Sequence, residues 1–135
     1  MAVVGFNFTK IVGEKKADPT NKLNIDRSVN LQKVEESHLN IGTQRQSGLV
    51  ISFLYTVKYA PDLGSIDLNG NLFYLAPAEK IKEALDSWKE KTVLPKDVMN
   101  QVLQAIFIRS NIQALIVSKD LALPPPFPLP SPRVR

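Results

Sequence analysis

The sequence predicts an α+β fold: an antiparallel β-sheet of about four strands, then a short and a long α-helix, then an extended proline-rich arm. Three observations predict it. Apolar residues alternate at period two up to about Leu75, recur at three- and four-residue spacing between Ala78 and Ser118, and give way to six of the ten prolines in residues 121–135. At 135 residues the chain has room for one domain, read as 1–120, with 121–135 as the arm.

In the opening segment Val4, Phe6, Phe8 and Val12 share one parity and predict a strand. Residues 13–20 carry a glycine, an Asp-Pro pair and several charges, which suits a loop. Leu23, Ile25, Val29 and Leu31 then alternate with Asn24, Asp26, Ser28 and Asn30, a second strand; residues 34–41 are either a further short strand or irregular. The strongest strand spans residues 49–59, with Leu49, Ile51, Phe53, Tyr55, Val57 and Tyr59 on one face. Ala60-Pro61-Asp62-Leu63-Gly64 reverses the chain, and Ile66, Leu68, Leu72 and Tyr74 continue in step to close a long hairpin. Asn69-Gly70 is itself a favourable hairpin turn. Breaking there would leave too short a partner for an eleven-residue strand, so Gly70 is read inside the strand, at a bulge or opposite a large aromatic.

Beyond Pro77, Ile81, Ala84, Leu85 and Trp88 fall on one side of an amphipathic helix, residues 78–91. A second helix is expected over residues 95–118, with Pro95 at its first position and Asp97 complementing its dipole. Val98, Val102, Ala105, Ile106, Ile112 and Ile116 are read as one stripe, widened by Met99, Leu103, Phe107, Ile108, Leu115 and Val117. A helix apolar nearly all round needs cover on two sides, and a second subunit is the expected second cover.

The sequence also excludes chemistry. With no cysteine, disulfides, thiolate nucleophiles and cysteine-bound metals are ruled out. One histidine, His38, cannot build a histidine metal site, and the six glycines are too scattered to cradle a phosphate. No enzyme signature and no cofactor are expected. The opening residues lack a signal-peptide pattern and no apolar run is long enough for a membrane span, so a cytoplasmic protein without membrane contact is expected. The net charge of +4 and pI near 9.4 are mildly basic, with the two signs interspersed.

Strands, long hairpin, short helix, long apolar helix and proline-bearing tail together resemble the SecB-like fold. The similarity covers roughly residues 49–130 and rests on the strands around Ala60-Pro61-Asp62-Leu63-Gly64, the helix 95–118 and the following Leu121-Ala122-Leu123-Pro124. The chain is also similar to small uncharacterised archaeal proteins with a Leu-Pro-Pro-Pro tail. The resemblance implies a non-catalytic, homo-oligomeric chaperone that holds unfolded polypeptide in apolar grooves. The family's export chaperones are acidic whereas this chain is basic, so the expectation extends to holding polypeptide and not to secretion. The groove residues expected are Phe53, Tyr55, Trp88, Phe107 and Phe127. The alternative is a ribosome-associated or RNA-binding protein whose Lys15, Lys16, Arg27, Arg45, Arg133 and Arg135 touch phosphates.

Overall fold

The computed structural model describes residues 2–18, 23–42 and 44–127. Four strands, β1 (Ala2–Lys15), β2 (Asn24–Ile41), β3 (Gln44–Ala60) and β4 (Gly64–Leu75), precede two helices, α1 (Ala78–Lys91) and α2 (Lys96–Asp120). The sheet is antiparallel throughout in the order β1-β4-β3-β2, so the fold is the α+β arrangement read from the sequence. Three consecutive hairpin-linked strands carry the first strand on their far side, a Greek-key connectivity. β1 and β2 therefore lie on opposite edges of the sheet, about 14 Å apart at the usual strand spacing. Just after β1 the chain meets the β3–β4 turn, where the Lys16 and Ala17 amides donate to the Leu63 carbonyl at 2.8 and 3.2 Å and Lys16 pairs with Asp62 at 3.0 Å.

Both helices lie on one face of the sheet, α1 over β2 and β3 and α2 over β1, β4 and β3. The core has two lobes. Leu49, Ile51, Phe53, Leu72 and Tyr74 meet Ile81, Ala84, Leu94, Val98, Val102 and Ile106 near α1, and Tyr55, Val57, Tyr59, Leu63, Ile66 and Leu68 meet Ala114 and Leu123 at the far end. Every inward residue expected on the long hairpin is at most 1% exposed. Gly70 does sit inside β4: an added Cβ would lie 2.5 Å from the Asn7 carbonyl oxygen and 2.7 Å from the Phe53 ring.

Three bulges correct the simple alternation. In β1 the pairing slips at Val4 and at Thr9. Phe6 and Phe8 face the helices as expected, but Val4 and Val12 are 51% and 40% exposed, because Val4 is itself the extra residue of the first slip and Val12 lies beyond the second, which reverses the parity. In β2 the extra residue is Gln32, which shifts the inward set from Val29 and Leu31 to Val34. Residues 34–41 thus continue β2 instead of forming a separate element, and only the bulge hides that continuity in the sequence.

Candidate functional site

The long helix presents two apolar sides. Val98, Val102, Ile106, Ser110, Ala114 and Ser118 recur every fourth residue and are buried against the sheet. The small side chains at 110, 114 and 118 leave room for Tyr55 and Tyr59 in the far lobe. Ile108, Ile112 and Ile116 lie about half a turn away and are 55%, 58% and 47% exposed. The single stripe expected from Val98 to Ile116 is therefore corrected: six residues past Ile106 the helix has turned about 240°, so Ile112 and Ile116 face outward. No described element covers them.

A second uncovered region follows the helix-facing side of edge strand β2. Leu23, Ile25, Val29 and Leu31 are only half-buried there, between α1 and the segment that leaves α2. Phe107, 36% exposed, stands at the α2 wall with its ring edge-on to Tyr55, centroids 6.3 Å apart. Below it the Tyr55 hydroxyl donates to Asn111 Oδ1 at 2.5 Å, and Arg27 Nη1 donates to the same oxygen at 3.4 Å. Burial pushes the Tyr55 hydroxyl pKa upward, with the Arg27 charge pulling back. The result is an apolar trough with one guanidinium at its lower end.

That end is closed by residues 123–127. After a left-handed residue at Ala122, φ 53°, the Leu123 amide donates to the Ser118 carbonyl at 2.8 Å and the chain doubles back onto the sheet. Leu123 is 6% exposed, the Tyr59 hydroxyl donates to the Pro124 carbonyl at 2.7 Å, and the Phe127 ring lies 5.7 Å from the Arg27 guanidinium. Between Phe127 and the strand remains a cavity of about 520 Å³ lined by Leu23, Asn24, Ile25, Arg27, Pro125 and Pro126.

No protein-family model and no curated protein matches the sequence. Among solved structures, the chain is similar to the SecB-like chaperone Rv1957 of Mycobacterium tuberculosis, solved in complex with a ChAD peptide from the Rv1956 HigA1 antitoxin. The TM-score is 0.60 at 13% identity, over 98% of this chain and 91% of that one. The fold is SecB-like.

On this SecB-like frame the five groove residues expected from the sequence separate. Phe53 and Tyr55 are 0% exposed. Phe53 is stacked among Phe6 and Phe8 at 5.2 and 6.4 Å, so it supports the sheet from within and offers no surface. Tyr55 offers no surface either and acts on the trough only by bonding Asn111. Trp88 packs half-buried against the α1 lobe, while Phe107 and Phe127 stand at the trough's wall and lower end.

The expected cations do not form one patch. Lys15 pairs with Asp18 and Lys16 with Asp62, each at 3.0 Å, and Arg27 is held by Asn111 and Phe127. Arg45 lies at the opposite end of β3, about 45 Å along the strand from Lys15 and Lys16, and Arg133 and Arg135 fall outside the described residues. Asn111 and the half-buried Val29 and Leu31 were missed because a polar helix residue and two ordinary strand residues acquire their role only from neighbours distant in sequence. Among the described residues no three His, Asp or Glu side chains gather as a metal site, and no helix is long and apolar enough to cross a membrane.

Proposed function

We propose that this chain is a non-catalytic, cytoplasmic chaperone-type protein that binds extended or unfolded polypeptide along the β2 trough. The observation that carries the reading is the half-buried apolar floor of Leu23, Ile25, Val29 and Leu31 beside a free strand edge of 18 residues. A large apolar client side chain fully buried on that floor gains about 1.5–3 kcal/mol, and main-chain hydrogen bonds to an edge strand are indifferent to sequence. Phe107 and Trp88 border the trough, Tyr55 holds Asn111 and Arg27 in place, Phe53 supports the sheet beneath, and Phe127 closes the lower end. The likeness to a chaperone solved with a bound peptide supports the same reading. The outward stripe of Ile108, Ile112 and Ile116 is assigned to a second copy of the chain, because an apolar row of that spacing is self-complementary across a twofold axis.

The test is suppression of aggregation of a chemically denatured client. The full chain at a few-fold molar excess is expected to reduce light scattering in proportion to its concentration. An unchanged aggregation time course at tenfold excess would refute the assignment.

A further inference from the structure

The proline-bearing segment behind α2 has the properties of the polypeptide that the trough is argued to hold. It carries no helix or strand, buries Leu123 and Pro126, lends a main-chain carbonyl to Tyr59, and lays an aromatic ring against Arg27. Its grip is also incomplete. Pro125 is exposed, Phe127 is only half-buried, and the cavity beside them is large enough for further side chains. Three successive prolines keep it extended when it is off the surface, so little chain entropy separates the docked and released states.

We propose that residues 125–127, hinged on the core-anchored Leu123 and Pro124, are a tethered competitor: they occupy the lower end of the trough in the resting protein and are displaced by an extended client carrying an aromatic or large aliphatic side chain. Phe127 then holds the place of a client side chain instead of contacting the client. This rests on the polypeptide-binding reading above. If the docked state dominates by about ten to one, apparent client affinity is lower than intrinsic affinity by the same factor.

The sign of one substitution separates the alternatives. In the full chain Phe127→Ser is expected to tighten binding of a fluorescein-labelled, reduced and carboxymethylated lactalbumin about tenfold. The chain's lack of cysteine permits the converse: Asn24→Cys with Pro125→Cys, both exposed on the same cavity, joined by a bismaleimide. The joined protein is expected to bind the probe at least tenfold more weakly than the same variant blocked with a single-ended maleimide. If the wild-type chain binds but Phe127→Ser binds equally or more weakly, or if joining changes nothing, the competitor is refuted and the holding function survives. If no form binds the probe, both fall.

Discussion

Replacing Gly70 by alanine tests the packing beneath the trough at one atom. The new methyl carbon would stand 2.5 Å from the Asn7 carbonyl oxygen, 2.7 Å from Phe53 Cζ and 3.1 Å from Phe53 Cε1. The ring cannot swing aside, since Phe53 is 0% exposed with Phe6 at 5.2 Å and Phe8 at 6.4 Å. The oxygen belongs to β1, an edge strand whose displacement strains its ladder to β4. Overpacking of this kind costs about 1–3 kcal/mol, against a gain of about 0.5–1 kcal/mol from removing a flexible glycine from the unfolded chain. A net destabilisation of about 1 kcal/mol is expected. Urea unfolding followed by Trp88 fluorescence at fixed protein concentration should show a lower midpoint with unchanged slope. Phe53→Leu in the same chain should return about 1 kcal/mol or more as a coupling energy. Gly42→Ala is the control: φ there is 64° with nothing within 4 Å of the added carbon, so its cost of about 1 kcal/mol is purely backbone and indifferent to residue 53. A Gly70→Ala protein as stable as the parent would refute the close contact.

The remaining predictions concern assembly and pH. Ile112→Asp, at a position 58% exposed, should leave circular dichroism unchanged and lower the sedimentation coefficient; a parent that sediments as a monomer at 100-fold over working concentration would remove the second-copy assignment. Lys80 donates to the Asp97 carboxylate and holds its pKa below the ordinary carboxylate range. That contribution is complete above the unfolded value of about 3.9 and disappears as pH falls through the lower folded value, so Asp97→Asn should flatten the acid limb of a stability titration. Burial pushes the Tyr59 hydroxyl pKa up to about 12. Its contribution persists to about pH 10, where the unfolded tyrosine ionises, and is lost between there and pH 12, so Tyr59→Phe should blunt alkaline unfolding.

The hairpin, both helices and the interior position of Gly70 were legible because each rests on local periodicity or on length matching. α1 was predicted over the residues it occupies, and α2 begins at Lys96 with Pro95 just outside as its cap. The parity reversals at Val4, Thr9 and Gln32 were not legible, since a bulge is defined by the partner strand and none of the three is a glycine that would mark it. The same limit governs the trough. Phe107 stands out in the sequence as an aromatic on a helix that is already apolar on its other side, whereas Arg27, Tyr55 and Asn111 become one constellation only when residues 84 positions apart are brought together. The interspersed charges read from the sequence are likewise spread by the topology, because the length of β3 separates Arg45 from Lys15 and Lys16.

The placement of β1 beside β4 sets an order of events during synthesis. β1 acquires its ladder only after residues 64–75 have followed, whereas β3 zips onto β2 and β4 onto β3 as soon as each is made. Until then Phe6 and Phe8 travel unshielded on a nascent chain, so this protein is for a time the kind of client it is argued to protect.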